Sequence, residues 1–84
     1  MLRVLYFASV REALGVGEER VSLPADVGTV AALVDWLAAR SDAHARAFAD
    51  RTRLRAAVDQ AFVRFDAPIA GAREVALFPP VTGG

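Results

Sequence analysis

The residues best suited to do chemistry stand at the end of the chain, where Gly83-Gly84 follow Phe78-Pro79-Pro80-Val81-Thr82. Glycine loses more backbone freedom on folding than any other residue, so a Gly-Gly end is a poor way to close a fold. It is a good way to present a carboxylate. Gly83 and Gly84 can thread a narrow channel and take whatever φ and ψ a partner imposes. Pro79-Pro80 restrict the stem before them and lower the cost of ordering it on insertion. Gly83 therefore reads as a steric requirement and Gly84 as the chemical group, with Val81 and Thr82 completing the stem. The plain alternative is a frayed or linker-like terminus. Linkers, however, are rich in Ser and Gly along their whole length. Here a strand-like run, Glu74 to Phe78, leads straight into the prolines.

The reactive group would be the terminal carboxylate itself, which becomes an acylating agent once activated. The chain has no cysteine, which removes disulfides, thiolate nucleophiles and Cys-ligated metals from consideration. Any reactive sulfur would have to sit somewhere other than a side chain. No other constellation competes: there is no nucleophile paired with a base, no metal-ligand spacing and no phosphate-binding loop. The single histidine, His44, lies in an Ala-rich stretch and reads as a surface residue. Arg11 and Glu12 admit two readings, a solvated helix pair of little energetic weight or, for Arg11, a contact with a partner or the tail.

At 84 residues the chain is expected to form one domain over 1–84, with 79–84 as a protruding tail. Ten acidic and ten basic residues give a formal net charge of zero, which does not favour nucleic acid or an anionic membrane as a partner. Arg51, Arg53 and Arg55 form the only basic cluster and read as a solvated loop or strand edge. Every basic residue is arginine. A lysine-free chain cannot acylate itself through an activated terminus, although a coding bias explains the same composition more simply. Leu2 to Ala8 is too short for a signal peptide, and no apolar run approaches ~20 residues, so a cytoplasmic location is expected.

The elements that must position the tail follow from the pattern. Leu2 to Ala8 reads as a strand. Ser9, with Glu12 three residues on, fits a capping box for one or two helical turns that Gly15 ends. Glu18 to Leu23 is a second strand. Val30, Leu33, Val34 and Leu37 recur at helical spacing, which predicts a helix capped by Thr29 and running to about Arg40, with Trp36 at its rim. Ser41-Asp42 caps a shorter helix through Phe48. Leu54 to Val58 and Ala61 to Phe65 are strands joined by a tight turn at Asp59-Gln60, and Glu74 to Phe78 is the last strand. One main amphipathic helix on one face of a mixed five-stranded sheet gives a two-layer α+β fold. If the first and last strands pair in parallel at the centre, the arrangement is a ubiquitin-like β-grasp that projects the C-terminus from a central strand.

Phe7, Phe62 and Phe78 fall on the first, fourth and fifth strands. Strand faces alternate, so residues of matching parity can meet on the helix-free side as an exposed partner site. Phenylalanine is also a common core residue. Both readings stand for Phe7, and the interface reading is favoured for Phe62 and Phe78.

Several runs resemble the small-subunit family of molybdopterin synthase: Phe7-Ala8-Ser9-Val10-Arg11-Glu12, then Val58-Asp59-Gln60 with Asp66-Ala67-Pro68, and above all Glu74 to Gly84. The resemblance covers the whole chain. It departs at Asp59, where that family usually has Asn, and a carboxylate takes a similar turn conformation. The resemblance implies a β-grasp sulfur carrier that binds no cofactor tightly. A ubiquitin-activating-type adenylyltransferase would consume ATP to adenylate Gly84, and a sulfur donor protein would convert it to a thiocarboxylate. The tail would enter the synthase large subunit and pass sulfur to cyclic pyranopterin monophosphate, forming a dithiolene. It also implies a heterotetramer of two small and two large subunits. Phe7, Arg11, Phe62, Phe78, Pro79, Pro80, Val81 and Thr82 are the residues expected to meet partners. A thiamine-pathway sulfur carrier, a protein modifier that ends in an isopeptide bond, and a passive binding module are the rival readings.

Overall fold

The computed structural model describes residues 1–80. The chain runs β1 (Leu2–Tyr6), α1 (Ala8–Leu14), β2 (Glu18–Val21), α2 (Val30–Ala38), α3 (Asp42–Ala47), β3 (Arg55–Val58), β4 (Ala61–Val63) and β5 (Glu74–Phe78), with a 3-10 turn at Arg51–Arg53 before β3. The strands form one five-stranded sheet in the order β2-β1-β5-β3-β4. β1 and β5 pair in parallel at the centre, with Arg3 opposite Glu74 and Tyr6 opposite Leu77. The other pairings are antiparallel. This is the expected mixed α+β sheet, and it requires a long crossover through the helices, because parallel neighbours cannot be joined by a tight turn.

Alternation sorts the side chains. Leu2, Val4 and Tyr6 of β1, Val75 and Leu77 of β5 and Ala56 of β3 point to the helix side and are buried. They meet Val30, Leu33, Val34 and Leu37, the four buried residues of α2. Thr29 caps that helix: its hydroxyl accepts a hydrogen bond from the Ala32 N–H at 3.2 Å, satisfying one of the free donors of the first turn. Trp36 packs at the margin of the core as expected, with the Arg40 guanidinium 4.9 Å from its ring centre.

Three local expectations need correction. First, Ser9 does not cap α1. The helix starts at Ala8, its cap position is Phe7, and no side chain caps it. The chain turns out of β1 with no intervening loop, through Ala8 at φ +50°, a left-handed conformation that costs a non-glycine residue roughly 1–2 kcal/mol. Secondly, Phe7 lies one residue beyond β1. Its N–H still donates to the Leu77 carbonyl at 3.2 Å, so it extends the ladder and keeps strand alternation. Thirdly, Arg51 is not simply solvated. Its Nε donates to the Phe48 carbonyl at 2.8 Å and its guanidinium reaches Asp35 at 2.6 Å, tying the 3-10 turn to α2 and the end of α3.

Both anticipated turn devices are present. Gly15 ends α1 at φ +76°, its N–H donating to the Arg11 carbonyl, as a left-handed helix stop requires. Asp59 and Gln60 adopt φ +48° and +73°, the positive pair of a type I′ hairpin. The Asp59 carboxylate accepts from the backbone N–H groups of Arg73 and Glu74 at 2.9 and 3.0 Å. With the Asp59 N–H, which donates to the Glu74 carbonyl at 3.0 Å, it fastens the β3–β4 hairpin to the start of β5.

Candidate functional site: an apolar groove beside the tail stem

The helix-free face of the sheet is divided in two. Towards β2, the residues of outward parity are charged apart from Leu5: Arg3 and Glu74 form a 2.6 Å ion pair, next to Arg20, which is opposite Arg3 in register. The hydrogen bond that Arg3 donates to Glu74, and the charge of that carboxylate, raise the Arg3 guanidinium above its ordinary value. Towards β4 the same parity places Ala57, Ala76, Phe62 and Phe78 together, since Ala57 stands opposite both Phe62 and Ala76. Here the face is an open groove of about 590 Å³, lined by Phe7, Ala8, Ala57, Gln60, Phe62, Ala76, Phe78, Pro79 and Pro80.

The aromatic residues of the groove are partly or largely open to solvent. Phe62 is 82% exposed and Phe7 47%. Phe78 is half-buried and packs against Phe62, with ring centres 5.7 Å apart at a tilt of 44°, a favourable offset geometry for two rings. The alanines of β3 and β5 make the floor. Small residues there leave room between the rings, so the surface is concave and not merely hydrophobic. Exposed apolar patches of this kind mark contact sites.

The structure brings Phe7, Phe62, Phe78, Pro79 and Pro80 to one groove. Arg11 is not part of its lining. It is exposed on α1, and its guanidinium lies over Gly17, where an added Cβ would come within 3.3 Å of it. Arg11 and Glu12, adjacent on a helix, do not face each other. Val81, Thr82, Gly83 and Gly84 lie outside the described residues. Ala8, Ala57, Gln60 and Ala76 were not singled out from the sequence. Their signal was available in strand parity once Phe62 and Phe78 were placed on the outer face, but alanine and glutamine carry no composition cue of their own.

The opposite face carries a polar group that the sequence concealed. His44 was read as a surface histidine, and its side chain is only 13% exposed. Its Nε2 lies 2.7 Å from Glu19 Oε1, and its Nδ1 lies 2.7 Å from the Ser41 hydroxyl. The Tyr6 hydroxyl donates to the same Glu19 oxygen at 2.7 Å. Glu19 turns inward because β2 alternates, and α3 places His44 above it. Burial and the hydrogen bond to Glu19 push the Tyr6 phenol far above its ordinary range. Burial also pushes Glu19 upward, but the hydrogen bonds from His44 and Tyr6, with the charges of His44 and Arg40, outweigh it and hold the carboxyl below its ordinary value. Ser41 also caps α3, accepting from the His44 N–H at 3.1 Å. The serine, histidine and glutamate are used in holding α3 to the sheet, and the groove lies on the other face.

No helix among the described residues is long and apolar enough to cross a membrane. Residues 4–84 match the ThiS family. The chain is 50% identical to the molybdopterin synthase sulfur carrier subunit of Escherichia coli (strain K12), over the full length of both chains. It is 37% identical to the protein of the same name from Haemophilus influenzae, again over the full length of both. Among solved structures, small archaeal modifier protein 1 of Haloferax volcanii superposes with a TM-score of 0.72 at 26% identity, covering 95% of this chain and 97% of that one. With a family match over nearly every residue, full-length relatives and a shared β-grasp sheet, the chain belongs to the ThiS family.

Proposed function

We propose that this chain is the sulfur carrier subunit of a molybdopterin synthase, acting in the cytoplasm, where ATP for its activation is at hand. The observation that carries the reading is the junction at the end of β5. The chain leaves the central strand through Phe78, Pro79 and Pro80 along an exposed apolar groove, and Gly84 follows four residues later. A partner that seats on the groove therefore receives the tail in a fixed direction.

The chemistry divides between the chain and its partners. An adenylating enzyme binds the groove and directs a Gly84 carboxylate oxygen to the α-phosphorus of ATP, releasing pyrophosphate and forming an acyl-adenylate. A donor persulfide sulfur attacks the carbonyl carbon and AMP leaves. Reduction of the resulting acyl disulfide by a thiol frees the thiocarboxylate. The large subunit then takes the tail into its own site, where the thiocarboxylate sulfur bonds to a side-chain carbon of the pterin precursor as a C–O bond there breaks, the oxygen leaving as water or remaining on the phosphate. Hydrolysis of the acyl link returns the Gly84 carboxylate. The chain contributes docking area, direction and the reacting terminus. The partners contribute the charge stabilisation and proton transfers.

The test is the intact mass of the chain after incubation with ATP, the activating enzyme and a sulfur source, beside a variant lacking Gly84. Exchange of one oxygen for sulfur in the intact chain alone supports the reading, and transfer to the pterin precursor with the large subunit completes it. No thiocarboxylate under these conditions sinks it. The likeness to a protein named as a modifier favours protein conjugation as a second reading. Covalent adducts through Gly84 on target lysines, in place of sulfur transfer, would select it.

A further inference from the structure

The apolar groove does not end in solvent on the β3–β4 side. Arg55 lies directly opposite Phe78. Continuing the β3–β4 register one residue past Ala56 and Val63 sets Arg55 opposite Arg64. Both arginines share the outward parity of Phe62 and Phe78, and both are exposed. Like charges directly opposite on neighbouring strands oppose folding. Among the described residues neither guanidinium has a carboxylate within ion-pair distance, whereas Arg51 is held by Asp35. Arg53 has an acid nearby as well: the Asp50 carboxyl is held below its ordinary range mainly by its hydrogen bond from Thr52, with the Arg53 charge adding to it. Arg55 donates to the carbonyls of Thr52 and Leu54 at 3.2 and 2.9 Å, which fixes its position and leaves its charge unbalanced. This pair stands at the end of β5 from which Pro79 and Pro80 depart.

We infer that Arg55 and Arg64 form a cationic rim that takes a carboxylate of the tail-receiving protein partner, set between the two guanidiniums as the groove is covered. The inference rests on the carrier reading above, because only a partner that admits the tail must close around this end of the sheet. An aspartate or glutamate there would relieve a repulsion that no carboxylate among the described residues relieves. Rim charges of this kind act mainly on the association rate and its salt dependence.

The experiment measures association of the full-length chain with the cognate large subunit at low and at high sodium chloride, for the native chain, the double variant Arg55→Gln/Arg64→Gln, and Phe62→Ser. The double variant is expected to associate about tenfold more slowly at low salt, to lose most of its salt dependence, and to melt no lower than the native chain. Phe62→Ser is expected to weaken binding without changing the salt slope. An unchanged rate and salt slope in the double variant overturns the inference, leaves the carrier reading in place, and returns the arginines to solvent or to the chain's own terminal carboxylate. Failure of the native chain to bind the large subunit overturns the carrier reading, and the inference with it.

Discussion

The two faces of the sheet are built from the same strands, one residue apart, and they have opposite fates. On the covered face Val4, Val75 and Leu77 are fully buried, and the polar atoms that intrude there, on Tyr6, Glu19 and His44, find partners within 2.7 Å. On the open face Phe62 is left 82% exposed, on a floor of alanines. Apolar side chains on the first face lower the free energy of the fold. Those on the second do little for it, because Phe7 and Phe62 stay largely in contact with water. In a domain this small, where the core itself is modest, that apolar surface is left uncovered by the described residues.

The contrast is most easily broken by a pair of truncations. Leu77→Ala, on the covered face, should destabilise the chain by ~2–5 kcal/mol through lost burial and a cavity, read by urea unfolding. Phe62→Ser, directly opposite Ala57, should cost no more than ~1.5 kcal/mol, the scale of its ring contact with Phe78, yet weaken binding of the large subunit at least tenfold, as loss of a central aromatic anchor does. If Phe62→Ser unfolds the chain as Leu77→Ala does, the open face is core and the comparison fails.

A smaller effect tests the polar intrusion. Tyr6→Phe removes one hydrogen bond to Glu19 and should cost about 1 kcal/mol, with no change in partner binding, because the site lies on the other face. The same group sets pH limits. Glu19 is held below its ordinary value of 4.5, so its contribution is complete above that pH and is lost as pH falls through the lower folded value. Tyr6 is raised above its ordinary 10.0, so its contribution is complete below that pH and declines as pH rises beyond it. Thermal melting of the native chain against Glu19→Gln should therefore show a shallower acid limb in the variant. Equal limbs would mean that Glu19 gains nothing from its neighbours on folding.

The smallest effect is expected at Asp59→Asn. Both side chains tolerate the left-handed turn, and the amide oxygen can accept from the Arg73 and Glu74 N–H groups as the carboxylate does. Unfolding free energy should move by no more than ~0.5 kcal/mol. A large loss would show that the negative charge, and not the acceptor geometry, fastens the hairpin to β5.

Legibility followed periodicity and turn chemistry. The main helix, its Thr29 cap and the positive-φ turn at Asp59-Gln60 were readable because each rests on local rules. The α1 cap was misread because Ser9 and Glu12 have the right spacing, while the chain starts the helix at Ala8 in a conformation that alanine does not advertise. Phe62 and Phe78 were legible as a pair from parity. Their exposure depended on which face the helices cover, and no local rule states that. His44 failed for the same reason: Glu19 lies 25 residues away, and nothing near His44 in sequence announces the contact.

By itself the sequence determined the kinds of element, the stiff apolar-proline stem and the two glycines that follow it, since these depend on φ preferences and on neighbours a few residues apart. The tertiary structure alone decided that β1 and β5 lie side by side in parallel, that one face of the sheet is sealed while the other keeps its aromatics in water, and that Arg55 and Arg64 stand opposed beside the tail's exit. Each of these is a pairing between distant parts of the chain, fixed by the total apolar area that can be removed from water at once and by strand register, and neither quantity is written in any short run of residues.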